Sequence, residues 1–323
     1  MGKTGICGVR ENHNGELMLL VENKPVTVNI DPVEKKPLYH FLPGTPIFSL
    51  GTLGCNFHCG FCQNWDISQI LKMQDRKWKI ARKQDGDDSR IDYWKPGRII
   101  DYCLMNNIPS IAFTYNEPTV FIEYALAIIK AAKRAKIKTV FVSNGYQSKI
   151  SAQILVKAGL DAINIDLKSF TNEFYLNNCG AKLQPVLDNI KGFWDEGIWV
   201  EVTTLIIPAE NDSEAELKHI AEYMYSVSPD IPWHISRFHP EYLMQDKPVT
   251  EERKIRQTYT IGRKVGLKYI YAGNIETNFG QDTVCPKCQT QLITRTGYQV
   301  TLTDTFNHGQ CQKCKTKVQG VWQ

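Results

Sequence analysis

Between residues 46 and 278 the sequence alternates short apolar runs with amphipathic stretches. "PIFSLGT", "SIAFTY", "KTVFVSNG", "DAINIDL", "WVEVTTLII" and "PWHISRF" read as strands. Each is nearly continuous in apolar residues, as a strand buried on both faces must be. Between them lie "PGRIIDYCLMNNI", "PTVFIEYALAIIKAAKRA", "KISAQILVKAG", "PVLDNIKGFWDEG" and "DSEAELKHIAEYMYSV", with "TEERKIRQTYTIGRKVG" after the last strand. These have helical spacing, with proline opening the first, Gly159 placed to end the third and Asp212 or Ser213 to cap the fifth. "KYIYAG" is one further candidate strand. Six strand–helix repeats call for a parallel sheet covered by helices, and a full or partial barrel accommodates them better than an open sheet. The expected fold is α/β: a partial (β/α)6 TIM-type barrel over residues 46–278. Residues 1–45 are expected to be an extension with a β-hairpin, since "ELMLLVENKPVTVNID" reads as two strands around a turn. Residues 279–323 form a separate small module. In such a fold the chemistry belongs at the C-terminal ends of the strands.

Ten cysteines constrain the rest. No apolar run is long enough for a membrane helix, and "MGKTGICGVRENHNG" lacks the apolar segment of a secretory signal. A cytoplasmic location with reduced thiols is expected, where clustered cysteines indicate metal or redox sites rather than disulfides. "GTLGCNFHCGFCQNW" places Cys55, Cys59 and Cys62 directly after the first strand of the repeat. Thiolates are soft ligands for zinc or iron–sulfur clusters. A [4Fe–4S] cube takes four cysteines when closed, so three leave one iron open, as catalytic zinc sites leave one position for substrate. A plain zinc site and three incidentally buried cysteines are the alternatives.

The spacing Cys-x3-Cys-x2-Cys, with the aromatic Phe61 before the last cysteine, resembles the radical S-adenosylmethionine (SAM) superfamily. The resemblance implies a [4Fe–4S] cluster on Cys55, Cys59 and Cys62 whose open iron holds SAM, reductive cleavage to a 5′-deoxyadenosyl radical, and hydrogen abstraction from a substrate. It also implies SAM contacts at the other strand ends. "FTYNEPTVF" supplies Tyr115, Asn116 and Glu117, where superfamily members carry a Gly-Gly-Glu-like stretch; here position and glutamate match, not the glycines. Glu117 suits an ammonium, although an acid at a helix start is the bland alternative. "VSNGY" offers Ser143 and Asn144 to ribose hydroxyls, or is a plain turn. "IDLKSF" places Asp166 and Lys168 on one side of their strand; the triplet resembles glycyl-radical-enzyme activases, while a simple ion pair is the alternative. Glu201 and Thr203 of "VEVTTLIIP" would face inward, in a binding or a packing role. His239 of "SRFHP" would contact adenine or ribose, or lie on the surface.

Across nearly the whole chain, "CGVREN", "DPVEKKPLYHFLPG", "GTLGCNFHCGFCQNWDIS", "FTYNEPT", "TLIIP" and the final "GVW" resemble the AmmeMemoRadiSam-system radical SAM enzymes, which are related to pyruvate formate-lyase activating enzymes. Members carry more cysteines ahead of "CGVREN", so Cys7 stands here without partners. Residues 71–94 are unusually charged and match no family motif.

Cys285-x2-Cys288 and Cys311-x2-Cys314, flanking the hairpin-like "QLITRTGYQVTLTDTF", form a zinc-ribbon pattern. Four thiolates close a tetrahedral site, so this Zn2+ is expected to be structural, a second iron–sulfur centre being the alternative. The net charge is +4. That excess lies from Cys285 to the end, where Lys287, Arg295, Lys313, Lys315 and Lys317 stand against Asp304. A second basic cluster runs from Lys72 through Arg76, Lys77, Lys79 and Arg82 to Lys83. These are solvated faces or sites for an acidic partner. The resemblance implies a flavodoxin or ferredoxin reductant. Its expected versions are a glycyl-radical activator and a radical modifier of RNA or protein recruited by the ribbon. A non-catalytic metal-binding adaptor is the rival from another class.

Overall fold

The computed structural model describes residues 3–72 and 93–323. The basic cluster beyond Lys72 and most of the charged stretch 71–94 lie outside the described residues. A hairpin of β1 (Arg10–His13) and β2 (Glu16–Leu19) comes first. β3 (Thr27–Pro32) and β4 (Pro46–Gly51) follow, then β5 (Ser110–Phe113), β6 (Lys138–Ser143) and β7 (Ala162–Asp166). β8 (Trp199–Ile206), β9 (Trp233–Arg237) and β10 (Ile270–Gly273) complete one sheet, in the order β10-β9-β8-β7-β6-β5-β4-β3. β4 to β10 run parallel, each beside its predecessor, which is the winding of a barrel. The partial barrel expected from the alternation is present, with β10 as a seventh parallel strand.

The extension contributes more than a hairpin. β3 joins the sheet as its antiparallel edge, with Thr27 opposite Gly51 and Pro32 opposite Pro46. The two strands read from "ELMLLVENKPVTVNID" are present but do not pair with each other as expected: β2 pairs back onto β1, and β3 pairs forward onto β4, a register that depends on a segment 14 residues further on.

Helices α1 (Trp65–Ser68), α2 (Pro96–Met105), α3 (Ile122–Arg134) and α4 (Lys149–Ala158) are followed by α5 (Asn172–Phe174), α6 (Gln184–Asp195), α7 (Glu214–Val227) and α8 (Glu252–Val265). Their ends follow local chemistry. The Ser148 and Ser213 hydroxyls accept the backbone N–H groups of Ser151 and Glu216, both at 3.2 Å. Gly159 ends α4 at φ 91°, a left-handed cap that a side chain disfavours. No helix among the described residues is long and apolar enough to cross a membrane.

Residues 33–42 cross the barrel interior and form its floor. Asn164 Nδ2 donates to the Pro37 carbonyl at 2.8 Å. The fully buried Glu201 carboxylate accepts Tyr39 N at 3.0 Å, His40 N at 2.8 Å and Trp199 Nε1 at 3.0 Å, and pairs with His234 Nε2 at 2.6 Å. Glu201 does face inward, but its partners are Tyr39 and His40 of the floor with Trp199 of β8 and His234 of β9, and it is not part of the cavity lining described below.

The C-terminal module contains β11 (Thr283–Val284), β12 (Gln291–Thr296), β13 (Gln299–Leu302), β14 (Phe306–Asn307) and β15 (Gln310–Cys311). It is pinned to the floor by Arg295. That guanidinium stacks on Tyr39 at 4.2 Å, donates to the Tyr39 carbonyl at 2.9 Å and faces the buried Glu34 at 3.9 Å. Arg295 therefore belongs to the interior, and the ribbon's basic face consists of the exposed Lys287, Lys313, Lys315 and Lys317.

Candidate functional site

The ends of the parallel strands open on a cavity of about 410 Å³ between the floor and the loop after β4. That loop carries Cys55, Cys59, Phe61 and Cys62 on the cavity wall. Its course depends on tight contacts. Gly54 sits at φ 84°, and a Cβ there would lie 2.3 Å from the Cys7 carbonyl oxygen. Asn116 clamps the loop: its Oδ1 accepts Thr52 N at 3.1 Å and its Nδ2 donates to the Gly54 carbonyl at 2.7 Å. From the other side, His58 N and Gly60 N donate to the carbonyls of Cys179 and Asn178, at 2.8 and 3.2 Å.

All three thiols are free. Burial pushes Cys55 up to about 12. A hydrogen bond with Cys179, reinforced by burial, holds Cys59 well above the ordinary thiol range, and burial raises Cys62. Among the described residues, the four ribbon thiols are the one set of three or more metal-ligating groups lying within 4.8 Å of one another. The loop trio is spread more widely, which fits a polynuclear cluster with one thiolate per iron better than a single ion. The ribbon four, with Cys285 and Cys314 Sγ 3.4 Å apart and Cys288 and Cys311 Sγ 3.7 Å apart, fit one ion, since ~2.3 Å metal–sulfur bonds in a tetrahedron put sulfurs about 3.8 Å apart.

The neighbouring strand ends bring most of the expected residues to this cavity. Glu117, Ser143 and Asn144 form one buried unit. The Glu117 carboxylate accepts Ser143 Oγ at 3.0 Å, Asn144 N at 2.8 Å and Thr119 N at 2.9 Å, and burial raises its pKa. It thus also caps the turn Pro118–Phe121, the bland role open to it in the sequence. Asn144 Nδ2 donates to Asn56 Oδ1 at 2.8 Å, tying the β6 end to the cysteine loop. Lys168 and Asp166 pair at 2.8 Å, with the ammonium 5.5 Å from the Phe61 ring centre. Burial works against the Lys168 charge, but Asp166 and the nearby thiols outweigh it and hold the ammonium above its ordinary value. Thr203 lines the cavity, while His239 is exposed and outside its lining.

Several residues were not singled out by sequence reasoning. Cys179 is an isolated cysteine in the chain but a neighbour of Cys59 in space. Lys35 and Lys36 rise from the floor, Asn274 follows β10, and Tyr298 reaches the wall from the ribbon hairpin. No local pattern marks them; the crossing of residues 33–42 and the docking of the ribbon bring them there.

A barrel with a three-thiol loop, a buried acid and an ion pair at successive strand ends defines the class, and comparison with known proteins agrees. Residues 50–223 match the family model of the radical SAM superfamily. The uncharacterized protein MJ0808 of Methanocaldococcus jannaschii is 38% identical over 295 residues, covering 91% of this chain and 83% of that protein. MJ1632 of the same organism, provisionally named a glycyl-radical enzyme activating enzyme, is 25% identical over 235 residues, covering 69% and 77%. The structure of Streptococcus suis SuiB bound to the precursor peptide SuiA shares the fold, with a TM-score of 0.52 at 16% identity over 76% of this chain and 52% of SuiB. The chain belongs to the radical SAM superfamily and is related to glycyl-radical enzyme activases.

Proposed function

We propose that this enzyme cleaves SAM reductively at a [4Fe–4S] cluster on Cys55, Cys59 and Cys62 and abstracts hydrogen from its substrate, in the activase-like branch of the superfamily. The observation that carries this reading is the convergence on one cavity of three free, widely set thiols with the Glu117–Ser143–Asn144 unit and the Asp166–Lys168 pair. When bound, the cluster and SAM supply a 5′-deoxyadenosyl radical. The chain's residues hold and shield that chemistry. Phe57 and Phe61 keep the loop interior dry, and Asn116 fixes the loop's course. Glu117, Ser143 and Asn144 form a polar wall for the amino and ribose groups of SAM, with Tyr115 flanking it. Asp166 and Lys168 offer one carboxylate and one ammonium to its methionine end. His239, exposed at 3.4 Å from the Asn274 carbonyl, receives no role.

In the same reading the ribbon holds a structural Zn2+, residues 1–45, 46–278 and 279–323 act as extension, catalytic barrel and ribbon, and a cytoplasmic flavodoxin or ferredoxin supplies electrons. Recruitment of RNA or protein by the ribbon is supported by its four exposed lysines and weakened by the inward turn of Arg295. A non-catalytic adaptor would leave the shared cavity unexplained.

The test is anaerobic reconstitution followed by metal analysis and electron paramagnetic resonance. The reading expects about four irons per chain beyond the ribbon metal. It also expects a reduced-cluster signal that changes when SAM is added, and loss of both in Cys55→Ala, Cys59→Ala and Cys62→Ala. A full signal in any of the three variants would refute the ligand assignment.

A further inference from the structure

One charged group on the cavity wall has no role in that reading. Lys35 and Lys36 both face the cavity. Both ammonium groups pair with a single carboxylate, Asp31, at 3.0 and 2.7 Å. Lys36 is 3% exposed, and Asp31 is its one ion-pair partner among the described residues. Asp166 balances Lys168, and both oxygens of Glu117 are taken up by Thr119, Ser143 and Asn144. Counted with Glu117 and Asp31 the wall as a whole is balanced, but locally Lys35 and Lys36 carry one positive charge more than the Asp31 they share.

The backbone is held in an unfavourable conformation to keep this arrangement. Tyr115 sits at φ 72°, a left-handed position that a tyrosine adopts at a cost and that glycine would take freely. Its side chain accounts for the choice. The phenol donates to Asp31 Oδ2 at 2.7 Å and accepts Asn29 Nδ2 at 3.0 Å, and the ring lies 4.4 Å beneath Lys36 Nζ. Gly51 makes room for it, since a Cβ there would meet the Thr114 carbonyl at 2.6 Å and Tyr115 Cβ at 3.1 Å. Burial pulls Lys36 below its ordinary value in spite of Asp31, and the charge of Lys35 beside it adds to the effect.

The lysines and the cysteines reach one cavity from different segments. The lysines follow β3 at the end where Pro32 meets Pro46, whereas the cysteine loop leaves β4 after Gly51. The crossing of residues 33–42 then carries the lysines back into the barrel, where the Pro37 carbonyl accepts Asn164 Nδ2 at 2.8 Å and Lys36 Nζ lies over the Tyr115 ring, so that they line the same cavity as the loop.

We propose that Lys35 and Lys36, set by Asp31 and Tyr115, form an anion-recognition subsite, so that the substrate carries a carboxylate or phosphate group held on this part of the cavity wall. This rests on the proposed reading of the cavity for its substrate, but not for its test.

The probes are acetate and inorganic phosphate, with neutral acetamide as control. Each is titrated at low ionic strength into anaerobically reconstituted, unreduced protein and followed by line broadening of the probe's resonance. SAM binding is measured in parallel by equilibrium dialysis. Acetate or phosphate is expected to bind and acetamide not; the better probe tells carboxylate from phosphate. Lys36→Met and Lys35→Met are each expected to weaken anion binding at least tenfold and to leave SAM binding within twofold. Should Lys36→Met fold poorly, Asp31→Asn combined with Lys35→Met and Lys36→Met removes the stranded carboxylate together with both ammonium groups and is expected to show the same loss. Undiminished anion binding in the lysine variants, no anion binding to the wild type, dependence on Lys168 instead, or loss of SAM binding together with the anion would overturn the proposal. Failure of wild-type protein to bind SAM, with lysine-dependent anion binding intact, would sink the radical SAM reading and leave the subsite standing.

Discussion

Asn116→Leu tests how the cysteine loop is held. The substitution keeps the number and branching of the side-chain heavy atoms and removes the clamp. Two buried backbone groups lose their partners, Thr52 N at 3.1 Å and the Gly54 carbonyl at 2.7 Å. Leaving a buried donor or acceptor unmet costs about 1–3 kcal/mol, so the pair costs about 2–6 kcal/mol, of which about 2–4 kcal/mol remains once the loop relaxes. At roughly 2 °C per kcal/mol for a chain of this size, Tm should fall by about 4–8 °C. The local effect should be larger in kinetic terms. A loss of about 2 kcal/mol confined to the loop raises its open population roughly thirtyfold. Iron extraction from reconstituted protein by an excess of chelator should accelerate accordingly. The assay is the anaerobic melting curve together with the chelation rate. A Tm within about 1 °C of wild type and an unchanged iron-loss rate would refute the clamp, because the predicted shift is several times larger.

Three further outcomes follow from the geometry. His40 donates through Nδ1 to the Gln319 carbonyl at 2.8 Å, accepts the Tyr271 hydroxyl at 2.6 Å, and is held by burial at about 4 against an ordinary 6.5. The unfolded chain therefore binds a proton that the fold refuses, so this stability is complete above pH 6.5 and is lost as pH falls towards 4, by about 3 kcal/mol; melting curves across that range should flatten in His40→Gln. Gly54→Ala places a Cβ 2.3 Å from the Cys7 carbonyl at φ 84°, and reconstituted protein should hold far less iron, read by metal analysis against wild type. Cys311→Ser should abolish the ribbon's metal and lower Tm while sparing the three-cysteine cluster spectrum, because the two thiol sets are separate.

Where the sequence was legible, the governing interactions were local. Apolar strand runs such as "SIAF" and the caps at Ser148, Ser213 and Gly159 are settled within a few residues, and the strand ends then carry Glu117, Ser143, Asp166 and Lys168 to one place. What escaped depends on contacts between distant segments. β3 joins the sheet through pairing with β4, and Arg295 turns inward because Tyr39 and Glu34 await it. Cys179 meets Cys59 through the backbone bond from His58, and Lys36 points inward because Asp31 and Tyr115 receive it. His239 follows its strand by only two residues, yet the chain has already turned outward there.

The central claim, that the cavity beneath Cys55, Cys59 and Cys62 performs reductive SAM cleavage, is tested most directly by quantifying 5′-deoxyadenosine. Reconstituted protein is reduced anaerobically with SAM present and the products are separated by chromatography, with Cys59→Ala as control. Formation of 5′-deoxyadenosine by the wild type and none by the variant is the expected result. Equal amounts from both, or no product and no spectral response to SAM from a fully loaded wild-type cluster, would contradict it.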